Sequence, residues 1–98
     1  MGIDVEIMDE KNLQVCNHVF AEDELVWMQE EPLTRFHILW TQKEALVKAI
    51  GKGIILSLNT FSVMPFQNQK NLEYDNRLWQ CETIRVDSYI ISIVKNHI

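Results

Sequence analysis

An α+β domain is expected from three features of this 98-residue sequence: an alternating strand at its start, a long helical stretch in its middle, and β-branched and aromatic segments at its end. The expected order is one strand, two to three helices, then a three-stranded antiparallel meander packed on the long helix. No linker, repeat or low-complexity stretch divides the chain, so residues 1–98 read as a single domain. A hydrophobic fraction of 47% suits a chain that folds around a core.

Gly2-Ile3-Asp4-Val5-Glu6-Ile7 places Ile3, Val5 and Ile7 on one face and Asp4 and Glu6 on the other, the pattern of a core strand. Asp9 is placed to cap a helix to about Phe20, with Leu13, Cys16, Val19 and Phe20 as its apolar stripe. Glu22-Asp23-Glu24 opens a short helix through Leu25, Trp27 and Met28, its acids at the positive end of the helix dipole. Pro32 starts the longest helix, which runs to Ile50, with Gly51 and Gly53 as stop signals. Thr60 to Gln67, Leu78 to Val86 and Tyr89 to Val94 read as strands, separated by the Asn- and Asp-containing stretches 68–76 and 87–88.

The net charge of -5 is uneven. Residues 1–31 hold one base and nine acids, whereas residues 32–98 hold eight bases and five acids. An acidic chain with no basic stripe disfavours general nucleic-acid binding, which draws its affinity from neutralised phosphates. Cys16 and Cys81 stand far apart without CxxC spacing, as expected of reduced, partly buried thiols. No apolar run approaches the ~18 residues of a membrane helix, and the N-terminus lacks a signal-peptide pattern, so the expectation is a cytoplasmic protein with no membrane partner.

Asp4 and Glu6, two residues apart on a strand, point the same way and are close enough to share a cation, although a bare Asp-x-Glu also describes a solvated strand face. On the long helix, Phe36, Leu39, Trp40, Leu46, Val47 and Ile50 form an apolar arc with Lys43 near its centre, so that lysine must snorkel or meet a partner. Glu44 and Lys48 lie beside the arc at the i, i+4 spacing, where a plain surface ion pair is the simpler reading. His37, on the same flank, reads as a surface or packing residue. Together, Asp-x-Glu, Lys-Glu-x-x-x-Lys and Gly51-Lys52-Gly53 supply three carboxylates for a hard cation and several ammonium groups for phosphate, the parts of a phosphoryl-transfer site.

Gly2-Ile3-Asp4-Val5-Glu6, then Trp40-Thr41-Gln42-Lys43-Glu44-Ala45-Leu46-Val47-Lys48-Ala49 and, directly beyond Ile50, Gly51-Lys52-Gly53, resemble the two signature motifs of the 4'-phosphopantetheinyl transferases. Residues 54–63 also resemble the strand entry after the glycines in the long, surfactin-synthetase-activating branch. That branch has two similar halves with the active site between them, and this chain corresponds to the second. The short, holo-acyl-carrier-protein synthase branch assembles as trimers with sites at subunit interfaces.

The resemblance implies that the chain moves the 4'-phosphopantetheine of coenzyme A onto a serine of an acyl- or peptidyl-carrier protein and releases 3',5'-adenosine bisphosphate. It implies Asp4, Glu6 and Glu44 as Mg²⁺ ligands, Lys48 on a phosphate oxygen, and Lys43, Gly51 and Lys52 beside the coenzyme A phosphates. Glu44, directly or through a metal-bound water, is the implied acceptor of the serine proton. Mg²⁺ suits these ligands better than Zn²⁺ because all are hard oxygens. A half-length chain is expected to complete its pocket as a homo-oligomer, a dimer or trimer. The alternatives are a non-catalytic or fragment half-domain that binds carrier protein or oligomerises, and a Mg²⁺-dependent phosphodiesterase or nuclease.

Overall fold

A computed structural model describes residues 1–51 and 57–97, with all of their side chains except those of Cys16 and Asn17. Strand β1 (Gly2–Ile7) leads through a 3-10 turn (Glu10–Val15) to helices α1 (Cys16–Val19), α2 (Glu22–Met28) and α3 (Pro32–Ile50). A second 3-10 turn (Leu58–Thr60) and helix α4 (Met64–Gln67) precede strands β2 (Leu72–Tyr74), β3 (Arg77–Val86) and β4 (Tyr89–Asn96). The strands form one antiparallel sheet in the order β1-β4-β3-β2, so the first strand closes against the last. The expected α+β architecture, with a three-stranded meander after the helices, is the one found.

Pro32 lies in the first turn of α3, where a missing N–H costs nothing, and Gly51 ends the helix at φ 79°, its N–H bonded to Val47 O at 3.1 Å. The core gathers Phe36, Leu39, Leu46 and Ile50 of α3 with Phe20, Met28, Val63, Phe66, Leu72 and Trp79. Asp75 and Asn76, at φ 57° and 60°, form the two-residue turn that matches the twist of the β2–β3 hairpin. No helix among the described residues is long and apolar enough to cross a membrane.

Three expectations need correction. The stretch to Phe20 is a 3-10 turn followed by one α turn. The Asp9 carboxylate accepts from Lys11 N at 3.0 Å, while Asp9 N and Asn12 Nδ2 are both held by His37, and this tethering favours the tighter turn. The segment Thr60 to Gln67 is not a strand. Pro65 lacks the donor a ladder needs, the Ser62 hydroxyl takes Met64 N at 3.2 Å, and Glu24 takes Val63 N at 2.8 Å. The first meander strand is β2, inside the stretch read as a separator.

The third correction concerns β1. Its alternation is as expected, but the faces are reversed: Gly2 and Asp4 are buried toward α3, whereas Ile3, Val5 and Ile7 are about half exposed on the other side of the sheet. Gly2 makes this possible. A Cβ there would stand 1.9 Å from Ala45 O and 2.6 Å from Ala49 N, so α3 lies directly on the backbone of β1.

Candidate active site

Because α3 rests on Gly2, the next residues of β1 come under the Glu44–Lys48 flank of the helix. Lys48 Nζ is 2.9 Å from Asp4 Oδ1 and donates to Ile3 O at 3.1 Å. The Asp4 side chain is 7% exposed and that of Lys48 52%, so the pair bridges the interior and the surface. Asp4 Oδ2 is buried without a hydrogen-bond partner among the described residues. An orphaned carboxylate oxygen is costly unless something outside the chain satisfies it.

Glu6 and Glu44 border the same space. Burial, then the adjoining Asp4 carboxylate, then the charge of Glu44, push the Glu6 carboxyl up to about 7 against the opposing pull of Lys48. Burial, followed by the charge of Asp4, also raises Glu44. Lys48 is raised in turn, first by its hydrogen bond to Asp4. Three carboxyl groups thus face one ammonium group, an excess of negative charge that a divalent cation would balance. Hard oxygen donors with one unsatisfied oxygen fit Mg²⁺ in kind. As the side chains stand, no group of three His, Cys, Asp or Glu residues among those described forms a ready cation cage.

Lys43 does not join this cluster. One residue from Glu44 turns it about 100° around the helix, into the core. Its ammonium is fully buried at 2.6 Å from Glu24 Oε1 and donates to Leu58 O and, at 2.8 Å, Phe61 O. Glu24, equally buried, also accepts from Ala21 N and Val63 N at 2.8 Å each. Burial raises the Glu24 carboxyl and lowers Lys43, and their mutual attraction opposes both shifts. The expected phosphate role of Lys43 is therefore replaced by a structural one: with Glu24 it fastens α2 and residues 58–63 to α3. Gly51 is exposed at the end of α3, and Lys52 lies outside the described residues.

His37 is also structural, in keeping with its packing reading. It is fully buried, donates from Nδ1 to Leu33 O at 2.7 Å, and accepts at Nε2 from Asp9 N at 3.2 Å. Beneath α3, Thr41 Oγ1 meets Ser92 Oγ at 2.8 Å, Ser92 meets Thr83 at 3.0 Å, and Thr83 accepts from Gln42 Nε2 at 3.0 Å. Ser92 stands opposite Asp4 in the β1–β4 register. This network satisfies the polar residues that α3 buries on the sheet. Sequence reading missed it and missed Glu24, whose only signal was an acid-rich first turn awaiting a buried lysine. A groove of about 470 Å³ lined by Trp27, Ile38, Gln42, Gln67, Glu82 and Thr83 lies on the β3 side of α3, apart from Asp4, Glu6 and Glu44.

Fold and site together define an α+β domain that presents a carboxylate cluster and a lysine between an edge strand and its longest helix. The chain belongs to the 4'-phosphopantetheinyl transferase superfamily, whose family model matches residues 1–94. It is similar to the 4'-phosphopantetheinyl transferase gsp of Aneurinibacillus migulanus, 33% identical over 81 residues that cover 79% of this chain and 34% of that protein. It is also similar to the 4'-phosphopantetheinyl transferase Sfp of Bacillus subtilis (strain 168), 30% identical over 105 aligned positions covering 99% of this chain and 47% of that protein. The chain therefore spans between a third and a half of these relatives' lengths. Its fold matches that of Helicobacter pylori holo-[acyl-carrier-protein] synthase, solved in complex with coenzyme A, with a TM-score of 0.66, 15% identity and 98% of each chain covered.

Proposed function

We propose that this chain transfers the 4'-phosphopantetheine group of coenzyme A to a serine of an acyl- or peptidyl-carrier protein, with Mg²⁺ as the metal and 3',5'-adenosine bisphosphate as the other product. The observation that carries this reading is the meeting of Asp4, Glu6, Glu44 and Lys48 between β1 and α3 in a member of the superfamily. Bound Mg²⁺, held by Asp4, Glu6 and Glu44, would supply positive charge to the diphosphate of coenzyme A.

Glu44 accepts the proton of the carrier serine, and its raised proton affinity favours that task. The serine oxygen bonds to the phosphorus next to pantetheine. The bond from that phosphorus to the bridging oxygen breaks, and the electron pair leaves with adenosine bisphosphate. Lys48, half exposed and already beside Asp4, binds a phosphate oxygen and stabilises the charge that grows there. Gly51, at the end of α3, borders the phosphates, and Lys52, outside the described residues, is assigned to them by the motif alone. Lys43 has no part in this chemistry.

The proposal includes a homo-oligomer, dimer or trimer, in which a second copy completes the coenzyme A pocket. A second reading is a half-domain that binds a carrier protein without transfer. Mass spectrometry of apo acyl-carrier protein incubated with this chain, coenzyme A and Mg²⁺ separates the two. Transfer adds one phosphopantetheine mass, is abolished by chelator, and is lost in Asp4→Ala and Glu44→Gln. Folded protein that binds carriers but never shifts their mass would replace the transferase reading with the non-catalytic one.

A further inference from the structure

Strand β3 is longer than its partner on the outer side. β4 pairs with Trp79 through Val86, whereas β2 pairs only with Arg77, Leu78 and Trp79. The chain before β2 turns up into α4, with Gln69 at φ 58° and Lys70 N bonded to Pro65 O at 3.0 Å, so β2 reaches no further along β3. Leu78 O accepts His97 N at 2.8 Å, which sets the phase of the β3–β4 ladder. Even-numbered residues of β3 bond β4, and odd-numbered ones direct their N–H and C=O to the other side. At Arg77 and Trp79 that side holds β2. At Cys81, Thr83 and Arg85 no strand stands there among the described residues.

The groove of about 470 Å³ runs along this edge, with Cys81 and Thr83 on one wall and Ile38, Gln42, Phe66 and Gln67 on the others. Its volume is that of an occupied site. Apolar walls alone suit many occupants, but a row of main-chain donors and acceptors beside them suits an extended polypeptide, which alone repeats both groups at the strand spacing. We propose that this edge takes up an extended segment of another protein as an added strand, antiparallel to β3 and in line with β2. Partner residues opposite Cys81, Thr83 and Arg85 exchange both hydrogen bonds with them and turn their side chains into the groove. The groove's mixture of rings and amides suits β-branched and hydroxyl side chains there. The partner residue opposite Glu82, an exposed acid, lies on the other face, where a base is favoured. The net charge of -5 favours a basic segment at longer range as well. From Cys81 to Arg85 the edge spans about 14 Å, the length of about five extended residues. β1, with Asp4, lies at the opposite edge of the sheet, so the added strand leaves that cluster uncovered and the proposal does not rest on the transferase reading.

The test is titration of the isotope-labelled chain with the peptide acetyl-Thr-Val-Val-Lys-Val-amide, followed by amide hydrogen exchange in NMR spectra. The expected result is saturable shifts at the groove and at Cys81 to Arg85. Exchange of the Cys81, Thr83 and Arg85 amides should slow about tenfold or more, while Glu82 and Ile84, already in the β4 ladder, hardly change. Arg85→Pro removes one outward donor without touching that ladder and should weaken binding roughly three- to tenfold. The same peptide methylated on the nitrogen of its central valine, opposite Thr83, should lose a similar factor against the native chain, and it carries the test should Arg85→Pro fail to fold. No saturable shift at roughly 5 mM peptide, where even a millimolar contact would saturate, overturns the proposal. So does a methylated peptide that binds as tightly as the parent. Protection of the Cys81, Thr83 and Arg85 amides in the peptide-free chain would also overturn it, showing the edge filled by the chain itself or, if protection grows with protein concentration, by a second copy.

Discussion

Replacing Gly2 with alanine tests how the site is assembled. The new Cβ would lie 1.9 Å from Ala45 O and 2.6 Å from Ala49 N, and ordinary contact begins near 3.4 Å, so α3 and β1 must separate by about 1.5 Å. Both obstructing atoms are helix backbone, and no side-chain rotation relieves them. Overpacking of this kind costs about 1–3 kcal/mol. Without the obstruction the same change would stabilise the protein by about 0.4–1 kcal/mol, by restricting the unfolded chain. The two accounts therefore differ in sign. At ~2 kcal/mol, thermal unfolding should fall by roughly 8–16 °C for a domain of this size. The Lys48–Asp4 contact, 2.9 Å in the native protein, opens with the helix, and transfer should drop by on the order of 10²-fold, as for other ~1 Å misplacements. Gly51→Ala is the control for stability alone: at φ 79° with nothing within 4 Å, it costs about 1–2 kcal/mol of backbone strain and leaves the α3–β1 contact intact. Differential scanning calorimetry beside the transfer assay decides. A Gly2→Ala protein with unchanged or raised melting temperature would refute the close-approach argument.

Two further outcomes concern buried charge. Lys43→Met leaves the fully buried Glu24 without its cation and should cost about 3–5 kcal/mol in urea unfolding, while Glu24→Gln combined with Lys43→Met should recover most of it; a single variant losing under ~1 kcal/mol would show that the pair is not what holds residues 58–63. Glu6, pushed up from 4.5 to about 7, holds its proton more tightly folded than unfolded, so the metal-free protein should lose stability as pH rises through that interval and level off above it. Melting temperatures of wild type and Glu6→Gln across pH 4–8, in chelator, check this: the variant should be flatter, and parallel curves would remove Glu6 as the source.

Element order was legible because periodicity reports it: alternation over residues 2–7, a helical arc from Pro32 with glycine at its end, and β-branched runs near the C-terminus. The segment 60–67 misled because Phe61, Val63 and Phe66 are apolar for another reason. They close the core from a turn-rich segment fastened by Glu24 and Lys43, whose partnership spans 19 positions of sequence. Asp4, Glu44 and Lys48 were legible as candidates through residue type and motif spacing. That Lys43 faces inward was half legible, since its place at the centre of the apolar arc already demanded a partner.

What alternation cannot report is which face of a strand is covered. The usual assumption buries the apolar side, and on β1 it fails for a reason visible in α3. The helix meets the sheet with Ala45 and Ala49 over Gly2 of β1 and with Thr41 above Ser92 of β4, a narrow surface of small and polar groups. That surface accepts the Asp4 side of β1 and leaves Ile3, Val5 and Ile7 outside. The inversion places a carboxylate where water is largely excluded, which strengthens its interactions with a cation or an ammonium group. It also leaves the opposite face with apolar surface that the monomer cannot bury. One choice of packing on one edge strand thus accounts both for the charged cleft proposed to act on coenzyme A and for the exposed apolar side chains on the opposite face of the sheet.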